Sequence, residues 1–426
     1  MECSTFSKYS WLDFAFAVIG VCTFLFDVGS DLWVAKEFYV DGDFFWFGVL
    51  VCFMVLSSVV VQMFSWFWYK YDRELQGFQT AGENVLLCSD GRCKLYCWLH
   101  VLQLGFFFRH ISAIKEGFQV WWRGKRGSEY AVYMTHDLSM LRLIETFCES
   151  APQLTLMLYI MLRTNRARTM QYVSVAASTS SVAWMVVDYH RSLRSFLPDK
   201  AQQGWGSSVL YFLWNLLLIA PRVGAVALFA SVLPAYIAAH FLSLWPALVL
   251  WAWRQETNFM DSAGGEWLYR ATVGLIWYFS WFNVTEGRTR GRSTIYHSLM
   301  VSDCTILLLT WWWYRDPDLT QSYAGGLVLA LPLAYLVGLL LKGLYYTCSH
   351  PKLYSQSSQA GEDVPDTQEP RQFHSLQTAV SSPLWNKRMA GHAQYFYSAA
   401  SPRPLVSSTN RNKSTSALSE REQTYL

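Results

Sequence analysis

The chain has 426 residues, of which 52% are hydrophobic and only 15% charged, well short of the roughly one quarter that soluble domains carry. Residues 351–426 hold 14 of the charged residues, six of the 13 Pro and one of the 21 Trp (Trp385), leaving 51 charges and 20 Trp to the first 350 residues. This excludes a soluble globular enzyme, a disulfide-knotted secreted module and a nucleic-acid binder; the net charge of +3 implies no polyanion partner. It fits a polytopic membrane body with a polar tail.

Ten apolar segments follow along the chain: 11–34, 44–69, 95–108, 138–162, 169–190, 207–230, 234–253, 267–283, 297–314 and 323–347, taking about 20 residues as the length of a span. The first would act as its own insertion signal, because no cleavage site follows it. Two segments are short and basic at both ends. Segment 95–108 lies between Arg92 and Lys94 on one side and Arg109, Arg123, Lys125 and Arg126 on the other; 267–283 has Arg254 and Arg270 before it and Arg288, Arg290 and Arg292 after it. Basic residues mark the cytosolic side, so a segment with both ends basic enters and leaves on one side. The fold expected is therefore all-α: eight transmembrane helices plus two partly inserted, re-entrant helices, with both termini in the cytosol. The re-entrant segments are third and eighth of ten, which divides the body into two structural halves, as in many transporter folds. Loops 35–43 and 315–322 are acidic and fall outside as required, whereas Arg163, Arg166 and Arg168 fall outside against the rule.

The body, 1–350, ends where the apolar pattern ends. Residues 351–426 are rich in Ser, Pro, Gln and Asn and read as a cytosolic, largely disordered tail. An aromatic patch at Tyr395, Phe396 and Tyr397 offers a docking point on the body. The nine Cys form no disulfide framework. Cys88, Cys93, Cys97 and His100 hint at metal-ligand spacing, but no second knuckle completes a site, so no metal and no cofactor is expected.

Charged residues inside the spans carry the functional signal, because each costs on the order of 2.5–3.5 kcal/mol at mid-membrane. At about 3.6 residues per turn, Asp31 returns to the azimuth of Asp13 and Asp27 lies about 40° away, so three carboxylates share one stripe of the first span. Arg142, Glu145, Glu149 and Gln153 share a face of the fourth segment, with Arg142–Glu145 spaced as an i, i+3 ion pair. Arg222 and Asn215 are nearly superposed in the sixth span, Asp188 ends the fifth and Asp303 sits in the ninth. A buried ion pair that fixes helix register accounts for any one of these. It does not account for the set, since Asp13, Asp27, Asp31, Glu145, Glu149 and Asp188 outnumber Arg142 and Arg222. A polar stripe through hydrocarbon suits an ion, a proton, a small solute or a lipid head group. The aromatic run Phe44–Phe47 is most simply an interfacial belt; Trp46 as a gate over the groove is the sharper alternative. There is no GxSxG, HExxH, Walker A or GxGxxG motif, and no enzyme is expected. The sequons at Asn283 and Asn412 fall in the cytosol under this topology and are read as chance.

The stretches Phe26-Asp-Val-Gly-Ser-Asp-Leu-Trp33 and Ser139-Met-Leu-Arg-Leu-Ile-Glu-Thr-Phe-Cys-Glu-Ser-Ala-Pro-Gln-Leu-Thr155 resemble the Kell-associated XK-related membrane family. So do Tyr211–Leu218 with Pro221-Arg222, and Tyr278–Val284 followed by Glu286–Arg292. The likeness covers about residues 8–350 and leans toward the family's caspase-activated phospholipid scramblases. It implies eight spans with two partly inserted helices. It also implies calcium-independent exposure of phosphatidylserine, among other phospholipids such as phosphatidylcholine, on the plasma membrane of dying cells. The family's polar lipid path matches Asp13, Asp27, Asp31, Asp137, Glu145, Asp188 and Asp303 here; Arg142, Glu149 and Arg222 join it on the helical faces already described. The family's outer gate matches Trp46. The resemblance further implies a single-span immunoglobulin-type partner, basigin or neuroplastin.

Activated members carry an executioner-caspase site in the tail. Asp363-Val-Pro-Asp366 has Asp at the cleavage position and three residues before it, with Thr367 following, in an extended polar context. Pro365 and the bulk of Thr367 depart from the usual pattern. Two other readings share the polar stripe: an ion or solute channel or transporter, and a non-transporting partner subunit, which would need no DxxD.

Overall fold

The computed structural model describes residues 11–72, 97–123, 128–164, 169–195, 205–260, 262–284 and 289–349, and every regular element among them is helical. In chain order these are α1 (Trp11–Val40), α2 (Phe44–Asp72), α3 (Gly105–Arg123), α4 (Ser128–Cys148), α5 (Ser150–Thr164) and α6 (Thr169–Ser195). They continue with α7 (Trp205–Val232), α8 (Pro234–Arg254), α9 (Ala263–Phe279), α10 (Thr289–Tyr314), α11 (Pro317–Thr320) and α12 (Ala324–Leu344). α1, α2, α7, α8 and α12 are long and apolar enough to cross a membrane. The remaining expected spans, on α4–α5, α6 and α10, are helices as predicted but carry more polar residues. The tail, with Asp363, Asp366 and Thr367, lies outside the described residues.

α7 is the centre of the bundle. It packs on α5 and α6 on one side and on α10 and α12 on the other, and most of its length is buried. Lipid-facing helices bury little and associate through small residues. Gly338 of α12 illustrates this: a Cβ there would stand 2.9 Å from Leu218 Cδ2 and 3.2 Å from the backbone carbon of Leu217. Pro221 sits four residues after Leu217 in α7 and cannot donate to its carbonyl.

The third segment differs from expectation. The helix begins where the predicted segment ends. A short helical turn at 97–101 stops, Gln103 takes a left-handed φ of 63°, and α3 starts at Gly105. The cause is a polar row on α2. Ser58 Oγ donates to Gln103 Oε1 (2.7 Å), Gln62 Nε2 donates to the Gln103 carbonyl (2.9 Å) and Ser65 Oγ meets His100 Nε2 (2.9 Å). His100 is thereby engaged with Ser65 and Trp66; Cys88 and Cys93 lie outside the described residues. Arg109, read from sequence as a cytosolic flank, is instead 3% exposed inside the bundle. α3 turns apolar Ile111, Phe118, Trp121 and Trp122 outward, as a partly inserted helix would.

The eighth segment is α9, and it also ends in a break. Ser262 caps its start, accepting from Gly265 N (3.1 Å). Glu266 Oε2 accepts from the amides of Phe259 (2.9 Å) and Met260 (2.8 Å), holding the chain before it. After Phe279 the backbone is extended, fixed by Trp277 Nε1 on the Phe282 carbonyl (2.6 Å) and Tyr296 Oη on the Trp277 carbonyl (2.7 Å). Asn283, the first sequon, is 5% exposed and bonds Thr289, so no glycan fits there.

Candidate functional site, an acidic row between three helices

The fourth predicted segment is two helices, α4 and α5, jointed at Glu149. Pro152 lacks the N–H that would donate to the Cys148 carbonyl, so the ladder breaks one turn ahead of it. The flanking bonds Glu149 N to Glu145 O (2.8 Å) and Gln153 N to Glu149 O (3.0 Å) persist, so the polar face stays continuous across the joint.

α1 runs alongside this face in the same direction. Near its middle Gly20 makes room for Arg142, whose Nη1 would lie 2.1 Å from any Cβ there. Arg142 Nη2 donates to Thr23 Oγ1 (3.2 Å) and Nη1 to Asp188 Oδ2 of α6 (3.4 Å). The expected partner Glu145 is not the one chosen, because the guanidinium crosses toward Gly20 rather than folding back along its own helix. One turn on, Ser150 Oγ donates to Asp27 Oδ2 (3.2 Å), and beyond it Gln153 Nε2 donates to Asp31 Oδ2 (3.1 Å). Then Trp46 of α2 packs its ring on buried Tyr159 of α5, centroids 5.3 Å apart. Asp13 starts the same stripe; its side chain is outside the described set. By helix rise, Asp13 to Asp31 spans about 27 Å, close to the roughly 30 Å of a bilayer's hydrocarbon.

Asp27, Asp31, Glu145 and Glu149 lie close enough to repel one another. Asp27 accepts from the neutral Ser150 and Asp31 from the neutral Gln153, while Arg142 donates to Asp188. The four acids are thus a row with one cation, Arg142, at the end away from Trp46.

The other charged residues named from sequence are brought together elsewhere. Asp137 pairs with Arg109 (3.2 Å), both buried, and Arg109 also reaches the Ser65 hydroxyl (3.0 Å) and carbonyl (3.1 Å). Arg222 of α7 pairs with Asp303 of α10, donates to the Tyr278 carbonyl (2.9 Å) and lies over the Tyr278 ring. His240 of α8 completes that knot, with Nε2 3.1 Å from Asp303 Oδ1 and Nδ1 2.9 Å from Tyr278 Oη. Asn215, expected beside Arg222, donates instead to the Tyr211 carbonyl of its own helix (2.8 Å). Sequence reasoning missed Arg109, His240 and buried Lys342, which meets Ser293 (2.8 Å) and His297 Nε2 (2.7 Å). A lone basic residue within an apolar run was the available signal.

Long apolar helices enclosing a charged interior define a multi-pass membrane protein. The chain matches the XK-related family model, "XK-related protein", over residues 15–351. It is 66% identical over 402 residues to "XK-related protein 8" of Gasterosteus aculeatus, covering 93% of this chain and 100% of that one. It is 64% identical to the protein of that name in Tetraodon nigroviridis, covering 94% and 99%. To that of Pan troglodytes it is 43% identical, covering 80% and 84%. The chain belongs to the XK-related family.

Proposed function

We propose that the chain is a caspase-activated, calcium-independent phospholipid scramblase that exposes phosphatidylserine on the surface of apoptotic cells. The observation that carries this reading is the acidic row Asp27–Asp31–Glu145–Glu149, reaching from Arg142 to the Trp46–Tyr159 contact. Phospholipid head groups combine an ammonium with a phosphate. The carboxylates attract the ammonium, and Arg142, Ser150 and Gln153 offer donors to the phosphate. A head group passes along the row while its acyl chains stay in the bilayer, and no covalent bond changes. Trp46 on Tyr159 closes the outer end at rest.

The tail holds the inner end shut, and cleavage after Asp366 releases it, shifting a closed–open equilibrium. Both termini lie in the cytosol, where an executioner caspase reaches the tail. Delivery to the plasma membrane depends on a single-span immunoglobulin-type partner such as basigin or neuroplastin, a point that rests on the family resemblance. Cells carrying Asp366→Ala should keep phosphatidylserine inside after an apoptotic stimulus, measured by surface staining. Normal exposure in those cells would overturn the caspase step.

A further inference from the structure

We infer that the inner ends of α8, α9 and α10 form a binding site for an inner-leaflet phospholipid whose head group carries phosphate monoesters, the polyphosphoinositide class. The site is separate from the acidic row and stands whether or not the chain transports lipid.

Arg254, Arg270, Arg290 and Arg292 are basic flanks of the eighth segment. The structure gathers them around the link that follows α8, which turns at Glu256 with a left-handed φ of 53°. Thr257 holds Arg270 of α9, whose Nε donates to the Thr257 hydroxyl (2.9 Å) and whose Nη2 donates to its carbonyl (2.9 Å). Gln255 holds Arg292 of α10, whose Nη1 donates to Oε1 (2.9 Å). Three helices thus bring arginines to residues 254–257: α8 through Arg254 itself, α9 through Arg270 and α10 through Arg292, with Arg290 two residues before it.

This charge is only partly cancelled. Glu266 meets Arg270 (3.5 Å) while accepting from the amides of Phe259 and Met260. Arg254 and Arg290 are exposed and form no ion pair among the described residues. At the inner ends of these helices and on the link, the described residues leave Arg254, Arg290 and Arg292 against exposed Glu256 alone.

An aromatic edge sets the depth. Trp253 and Trp267 stack with centroids 6.4 Å apart, 49% and 48% exposed, and the Arg270 guanidinium lies over the Trp267 ring at 5.4 Å. Half-exposed indoles mark the head-group level of a bilayer, so the arginines beside them stand at the phosphate layer.

A single basic residue at a cytosolic end follows the general rule for membrane proteins. Arginines drawn together from three helices do more. Each guanidinium offers a planar fork that a phosphate takes through two parallel bonds. A head group with one phosphodiester meets one fork, whereas one with further monoesters reaches forks on different helices at once. Basic pockets between spans on the cytoplasmic side suit such head groups, and the basic-flank reading puts this end in the cytosol.

The test is native mass spectrometry of the purified full-length chain in detergent, titrated with phosphatidylinositol 4,5-bisphosphate. The lipid should bind in preference to phosphatidylserine at equal concentration, and soluble inositol trisphosphate at equal concentration should not displace it. Arg254→Gln and Arg290→Gln should each weaken binding roughly fivefold, the size of one arginine's attraction to an anionic membrane surface. Both side chains are exposed, so folding is spared. Lys36→Gln removes the same charge from the far end of α1, where Lys36 is also exposed, and should bind as the wild-type chain does. Equal binding of phosphatidylserine, an equal loss with Lys36→Gln, or no loss with the arginine changes overturns the site. Displacement by inositol trisphosphate makes the ligand a soluble phosphate and overturns the lipid assignment.

Discussion

Arg222 and Asp27 show two ways for a charge to sit in a membrane span. Arg222 is enclosed: Asp303 neutralises it, the Tyr278 carbonyl and ring hold it, and His240 braces the carboxylate from a third helix. Such a knot fixes register, and removing one partner strands the other. Arg222→Met should destabilise the protein by roughly 3–5 kcal/mol, and a double change that also makes Asp303→Leu should recover most of it, measured by thermal unfolding in detergent. Asp27 has a neutral hydroxyl as its donor and further carboxylates nearby. The acids of this second kind of site, Asp27, Asp31, Glu145 and Glu149, should tolerate Asn and Gln with little loss of fold. Trp46 belongs at this scale too. Trp46→Ala removes the ring that covers Tyr159, and lipid transfer before caspase treatment should rise in a vesicle assay.

At the scale of elements, periodicity placed every segment on helix; the third ends where α3 is only starting, the fourth divides into α4 and α5 and starts ten residues early at Ser128, and the ninth starts eight residues early at Thr289. Asp27 and Asp31 were legible as one stripe because a single helix fixes their angle. Three things were not. The start of α3 depends on Ser58, Gln62 and Ser65 of another helix, which sequence spacing within 95–108 does not contain. The joint at Glu149 follows from Pro152, a signal present in the sequence and passed over because the apolar run continues through it. The partners of Arg142 depend on Gly20, distant in sequence, offering an empty surface. Glycine at such crossings sets how near two helices come. Gly338→Ala brings a Cβ against Leu218 and the backbone of α7, and backbone cannot move aside as a side-chain tip does. It should cost about 1–3 kcal/mol, seen as a lower melting temperature with the acidic row untouched. A shift smaller than a few tenths of a kcal/mol would mean that α12 and α7 are held apart by other contacts.

For the whole molecule, the low charge count stated the membrane class, and the few charges left in the body sort into two kinds once the helices are placed. Arg109–Asp137 ties α3 to α4 and Arg222–Asp303 ties central α7 to α10. The acidic row between α1 and the α4–α5 joint is left over from that pairing. The central claim is that this row carries head groups. The most direct measurement is lipid transfer in liposomes holding the purified full-length chain and fluorescent phosphatidylserine, bleached from outside before and after executioner caspase. After cleavage the inner-leaflet label should become bleachable for the wild-type chain, while the Asp27→Ala, Asp31→Ala double variant, equally cleaved and equally folded, should lose only the outer-leaflet label. Full bleaching by that double variant, or no transfer by the cleaved wild-type chain, would contradict the account.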